Sequence, residues 1–402
     1  MLKTQLAPWL LSLFALALAG EASAAVTINV WHAYRGKEAE ALDKVAATFN
    51  GANKDLQIKL LQIPYDAFAD KVTASIPRGK GPDLFIFAQD RIGDWAASGL
   101  IEAVDFWLTD DLKKAYLPPT LEAITYDDSV YGLPMAFKMV SLFYNTKLVS
   151  KPPVTTDELI AVAKKATDVK KGQYGLAYEN ANFYYHAAWM QGFGGRVFDK
   201  SGAPVLSTPE VIASMEFARN LAKKEGVMPQ EITSTLVTTL FNRGQAAMVI
   251  NGPWFMGEID KGVTYKVALL PVLTANKKPA APFLTAEAVI MSAKASDKKA
   301  AFEVMKYLTS VEAGKVMATV GRQTTARKDV YSDPAVAGDE LLAVFKKQLE
   351  TSLPMPNTPA MRMVWSPATT AMNKVINSDA PIADIMKTAQ DEVAKLVKGA
   401  RR

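Results

Sequence analysis

The sequence has no cysteine and only two histidines, His32 and His186, among 402 residues. These absences remove whole classes of chemistry. Without a thiol there is no cysteine nucleophile, no iron–sulfur cluster and no thiolate zinc site, and a lipid anchor carried on cysteine is excluded as well. Two imidazoles are too few for a metal cluster built from several of them. A Ser-His-Asp triad would need one of the two, and neither lies in a motif such as G-x-S-x-G. His186, inside "FYYHAAW", reads as a satisfied helix histidine. There is no P-loop, no H-E-x-x-H and no G-x-G-x-x-G after a strand, so neither a cofactor nor a metal is expected. Long apolar runs are also scarce. The N-terminal block Trp9–Ala19 is too short to cross a bilayer comfortably, and no other run nears the ~18 apolar residues that a spanning helix needs.

That N-terminal block has another reading. Lys3 precedes it and the small residues Ala22-Ser23-Ala24 follow it, the layout of a secretory signal peptide cleaved after Ala24. The mature protein is therefore expected to be exported and soluble. An exported domain without disulfides must bury enough apolar surface to hold itself together, which a large one can do. With 49% hydrophobic and 22% charged residues, the chain is globular and long enough for two lobes. The net charge of +5 comes from scattered pairs such as Lys164–Lys165 and Lys170–Lys171. Such pairs on helical faces mark a solvated surface rather than a nucleic-acid footprint.

Apolar runs alternate with amphipathic stretches. "VTINVW", "LQIKLLQI" and "DLFIFA" read as strands. Between them, Ala39, Leu42, Val45, Ala46 and Phe49 recur at helical spacing up to Gly51 and Asn53, and 66–76 reads as a second helix. The pattern resumes with a Thr155-x-x-Glu158 capping box, the strand "YGLAYE", a helix opened by Thr208-Pro209-Glu210, the strand "AAMVIN" and a C-terminal packing helix. Continuous apolar strands alternating with helices predict α/β regions built on parallel sheets. "YGLPMAFKMVSLFYN" and "PFLTAEAVIMSA" are candidates for strands crossing between the two lobes. Two lobes with several crossings enclose a cleft, and ligands of open α/β sheets bind at the carboxyl ends of strands.

One such end carries a bare charged pair, Asp90–Arg91, directly after "LFIFA". It reads either as a local ion pair or helix cap, or as a polar clamp. A carboxylate accepts two hydroxyl hydrogen bonds and a guanidinium donates several in a fixed fork, which suits the vicinal diols of a sugar. Aromatic residues also sit at strand ends and loop–helix junctions: Trp31, Tyr184, Trp254 in "NGPW" and Trp365 in "MRMVW". The C–H face of a pyranose stacks on such rings, each stack contributing about 0.5–1.5 kcal/mol beyond burial by analogy with aromatic pairs. The alternative for any one of them is a place in the core. Two enzyme-free rivals and one enzyme remain open on residues alone: a sugar binder, a polyamine binder using the aromatics as a cation–π box, and a secreted glycosidase. For the last, acidic pairs such as Asp110–Asp111 and Asp127–Asp128 read as solvated turns, and nothing selects a catalytic carboxylate.

"GPDLFIFAQDRIGDWAASGLI", "YGLPMAF", "SLFYN", "FNRGQAAMVINGPW" and "MPNTPAMRMVW", in that order, resemble the periplasmic maltose- and maltodextrin-binding proteins, extracellular solute-binding proteins of ABC importers. The resemblance runs over essentially the whole mature chain. It implies a non-catalytic α/β protein with a two-lobe periplasmic-binding-protein fold, crossover strands and a ligand cleft between the lobes. It also implies a periplasmic location, an oligosaccharide ligand, an ABC permease as membrane partner, and a monomer. Carried over by position, the hydroxyl-binding pair matches Asp90 and Arg91, and a basic loop residue matches Arg35. The stacking residues match Tyr184, Trp254 and Trp365, and Phe87 stands in place of a lining tryptophan. The expected lobes are residues 25–136 with 285–325, and 137–284 with 326–402.

The departures from the family pattern concern charge. Lys138 and Asn182 replace acids, Met256 a tryptophan and Ser366 a tyrosine. Two expectations follow for Lys138: it balances Asp90, or it faces the cleft and selects an acidic or modified oligosaccharide.

Overall fold

A computed structural model describes residues 25–400; the signal-peptide reading of residues 1–24 lies outside them. The apolar runs become strands. They are β1 (Val26–His32), β2 (Leu56–Gln62), β3 (Leu84–Ala88), β4 (Thr125–Tyr126), β5 (Ser129–Val130), β6 (Leu133–Lys138), β7 (Ser141–Asn145), β8 (Tyr174–Ala177), β9 (Ala246–Asn251), β10 (Tyr265–Ala268), β11 (Phe283–Met291) and β12 (Leu353–Pro354). One sheet has the order β12-β11-β3-β1-β2, with β6 on the other side of β11, and a second has β10-β7-β9-β8. The hairpin β4–β5 turns on Asp127 and Asp128, both at positive φ. Aspartates tolerate the left-handed region that a two-residue turn of this kind demands.

The sheets are mixed rather than wholly parallel, which corrects the expectation. β1 is parallel to β2 and β3, and β8 to β9. β11 is antiparallel to both β3 and β6, and β7 to β9 and β10. Parallel neighbours need a crossover connection. β11 reaches the first sheet from the second and has no such constraint.

The helices bury one stripe each. α1 (Gly36–Ala52) covers the first sheet with Ala41, Leu42, Val45, Ala46 and Phe49, the stripe expected from spacing. α2 (Tyr65–Ser75) buries Phe68 and Val72, and the short α3 (Ile92–Ala97) buries Ile92 and Trp95. In the second lobe, Thr155 caps the helix Thr156–Ala166 by accepting from the Glu158 N–H at 3.2 Å. Glu158 accepts in return from the Val154 N–H at 2.7 Å, closing the box one residue further out.

Two lobes are visible in how the cores are composed. Met135 belongs to the core of the first sheet, whereas Phe137 packs with Phe143 and Phe255 beyond it. Along β11, Ala286 and Ala288–Met291 lie in the first core, while Phe283 and Leu284 lie in cores of the second lobe. Each strand therefore changes core within its own length. A third passage runs beside β6, where Ala136 bridges Thr325 and the Phe137 N–H donates to the Thr324 carbonyl at 3.0 Å.

Candidate ligand-binding cleft

β3 ends at Ala88, and Gln89–Arg91 form a tight turn before α3. Gln89 holds that turn in place. Its amide donates to the Leu284 carbonyl at 3.0 Å and to that of Met355 at 3.3 Å, and it accepts from the Ala286 N–H at 2.8 Å. Asp90 is thereby fixed on the wall of a cleft of about 560 Å³ between the lobes, within the usual range for small-molecule sites. Asp90 caps no helix; the residue flanking this turn is Ala88, and no side chain caps it.

The nine expected ligand-binding positions, Arg35, Phe87, Asp90, Arg91, Lys138, Asn182, Tyr184, Trp254 and Trp365, all line this cleft. Asp90 is only 7% exposed. Its Oδ2 lies 3.6 Å from Arg91 Nε, while its Oδ1 is buried without a hydrogen-bond partner among the described residues. Burial pushes the carboxyl up to about 6, with the Arg91 guanidinium and the Trp365 indole pulling the other way. A buried oxygen without a donor is costly and ready to accept one.

Local sequence explains how the rings are held. Trp254 follows β9 on the turn Pro253–Gly257, and its indole lies over Gly252, where any Cβ would overlap the ring. That contact accounts for the glycine of "NGPW". Tyr184 opens the helix Phe183–Phe193; Asn182 caps that helix by accepting from the Tyr184 N–H at 3.0 Å. The Tyr184 and Trp254 ring centroids are 6.2 Å apart. Trp365 begins the helix Trp365–Asn377 and stands edge-on to Phe183 at 6.3 Å. The Tyr184 hydroxyl lies 3.2 Å from Thr285 Oγ1, and burial pushes its phenol up to about 12, so it stays protonated. Gly93 of "DRIG" donates its N–H to the Asn357 carbonyl of "MPNTP" at 2.8 Å, and a Cβ there would strike that carbonyl. Two separated motifs are thus one contact.

Trp31 does not reach the cleft. It is buried in the first core, with the Lys71 ammonium 5.4 Å above its ring. Met256 is buried in a second-lobe core, and Ser366 lies on a separate shallow surface with Arg362 and Glu392. His186 is buried with Nε2 3.0 Å from Ser214 Oγ, and burial lowers it to about 3. That partner belongs to the helix Pro209–Lys223, and the other ring nitrogen, Nδ1, is buried without a hydrogen-bond partner among the described residues, so the histidine is only half satisfied.

Lys138 lines the cleft, but it does not balance Asp90. The alternation of β11 places Thr285 and Glu287 on one face, and Lys138 stands opposite Thr285. Lys138 Nζ meets Glu287 Oε1 at 3.1 Å and Glu38 Oε1 at 2.8 Å. The Tyr34 hydroxyl donates to the other oxygen of Glu287 at 2.9 Å, and the Gln323 amide to Glu38 at 2.9 Å. Burial opposes the lysine charge, but Glu287 and Glu38 outweigh it and hold the ammonium above the ordinary lysine range. Its partners are these two acids, not Asp90.

Tyr34, Glu38, Tyr65, Thr285 and Glu287 also line the cleft and escaped the sequence reading. Glu287 left a signal, a lone acid inside the continuous apolar run "FLTAEAVIM". A buried charge requires a partner.

Residues 35–315 match the family of bacterial extracellular solute-binding proteins. The chain is 33% identical to a maltotriose-binding protein of Pyrococcus abyssi, over 92% of this chain and 83% of the relative. It is 27% identical to a galactooligosaccharide-binding protein of Bacillus subtilis, over 86% and 83% respectively. Among solved structures, the Thermus thermophilus maltotriose-binding protein bound to maltotriose is similar at a TM-score of 0.83 and 26% identity, covering 92% of this chain and 100% of that one. The chain belongs to the bacterial extracellular solute-binding proteins.

Proposed function

We propose that this protein captures maltodextrin-type oligosaccharides in the cleft between its lobes and delivers them, in the periplasm, to an ABC import permease. One observation carries the reading: a buried carboxylate, Asp90, with an oxygen unpartnered among the described residues, beside the Arg91 fork and among Tyr184, Trp254 and Trp365. Sugar hydroxyls would supply the missing donors, and the rings would take the apolar faces of the sugar. The maltotriose-binding relatives support the same ligand class.

The pairing of Lys138 with two acids favours a neutral sugar over an acidic one, because no unneutralised charge is left on that ammonium. The protein acts by binding and hinge closure rather than by catalysis. Its lobes are residues 25–136 with 285–325, and 137–284 with 326–402, joined by β6, β11 and the passage beside Thr325.

Calorimetric titration with maltose, maltotriose, trehalose, cellobiose, a uronic-acid oligosaccharide and spermidine tests this reading. Saturable heat with the maltodextrins and none with spermidine or the uronic acid is the expected outcome. Binding of the acidic sugar alone would return specificity to Lys138 and Arg35.

A further inference from the structure

The proposed sugar site has a first-lobe aromatic whose faces are not free. Phe87 is stacked on Phe68 at 4.9 Å and 7°, and on Tyr65 at 5.1 Å and 23°. Only 5% of Phe87 is exposed. A ring this enclosed has no face free for a pyranose. The outermost ring of the stack is Tyr65.

Tyr65 is the first residue of α2, after Pro64. Helix formation asks for no aromatic there, since the position offers no cap and neither Phe68 nor Val72 needs it for burial. Yet Tyr65 keeps 53% of its surface accessible. It also stands on the cleft wall with Asp90, Arg91 and Glu287. The exposed part therefore borders the cleft, and Tyr65 lines it together with Tyr184, Trp254 and Trp365 from the second lobe.

We propose that Tyr65 is a specificity-determining residue that supplies the first-lobe stacking platform for the sugar, taking over the part that Phe87 cannot play. This inference rests on the sugar-binding reading of the cleft. One Tyr65 face is committed to Phe87; the other meets a sugar ring against the second-lobe aromatics. The hydroxyl adds a donor beside Asp90 and Glu287, but the ring carries the larger share.

The test is calorimetry with maltotriose on the wild type, Tyr65→Ala, Tyr65→Phe and Phe87→Leu, with a thermal melt of each. Removing the stack raises Kd about two- to tenfold in Tyr65→Ala, while Tyr65→Phe stays within about twofold of the wild type. Phe87→Leu lowers the melting temperature and changes Kd less than Tyr65→Ala does. If the wild type binds maltotriose and Tyr65→Ala binds it equally well, the inference falls and the sugar-binding reading stands. Equal losses in Tyr65→Ala and Tyr65→Phe would also overturn it, because the hydroxyl and not the ring would then be responsible. A wild type that binds no sugar overturns both.

Discussion

At the residue scale the molecule accepts a local cost at Asp90. Its carboxyl titrates near 6 because burial outweighs Arg91 and Trp365. A carboxylate raised above its unfolded value destabilises the fold at pH above 6, and that cost disappears as pH falls through 6 toward 4. Replacing Asp90 with Asn is therefore expected to stabilise the sugar-free protein at pH 7.5 by about 1–3 kcal/mol. The difference should shrink to about a third of that at pH 4.5, and denaturant midpoints at both values check this. The same substitution should weaken sugar binding by at least tenfold, since hydrogen bonds to a charged acceptor are worth about 1.5–3 kcal/mol. Hydroxyl donors favour the ionised form, so wild-type affinity should decline as pH drops below 6. A D90N variant that is less stable at pH 7.5 would contradict this picture of a strained acceptor.

At the scale of elements, much was legible because short apolar runs and helical stripes state their own secondary structure. "AAMVIN" is β9 to the residue, and the stripe Ala41 to Phe49 is the buried face of α1. Asp90, Tyr184, Trp254 and Trp365 could be found because strand ends and helix starts are visible in sequence. Tyr65 could not, and the lone acid Glu287 stands out in its apolar run without showing its partners, since their meaning depends on elements brought together from far apart. Tyr34 reaches Glu287 across 253 residues and Lys138 reaches Glu38 across 100. Trp31 misled for the same reason: it closes a strand, but its ring turns into the core.

Two predictions belong to the elements. A Cβ at residue 252 displaces the Trp254 indole, so Gly252→Ala should weaken sugar binding several-fold while the β9 fold persists by circular dichroism. Unchanged affinity would show that the indole position is not needed. Second, Lys138 at the end of β6 neutralises Glu287 on β11 and Glu38 on α1. Lys138→Met leaves two buried acids facing each other and should cost about 3–5 kcal/mol of unfolding free energy. Adding Glu287→Gln should recover part of that loss, whereas a double variant as unstable as Lys138→Met alone would contradict the pairing.

At the scale of the whole molecule, β6, β11 and the passage beside Thr325 are the strands on which two cores meet. The cleft lies across them, with Asp90, Arg91 and Tyr65 from one lobe facing Tyr184, Trp254 and Trp365 from the other. A ligand held by both walls favours the arrangement in which they approach, and it shifts the population toward it by its differential affinity. Binding and closure are then one event, and the indoles of Trp254 and Trp365 lie where it happens.

The measurement that tests this account most directly is a titration of the mature protein with maltotriose, followed by intrinsic tryptophan fluorescence in the wild type and in Trp254→Ala. A saturable change in the wild type with micromolar or tighter affinity, about −8 kcal/mol or better, and a marked loss of affinity in the variant are expected. A flat response by the wild type, or equal affinity in the two proteins, would contradict it.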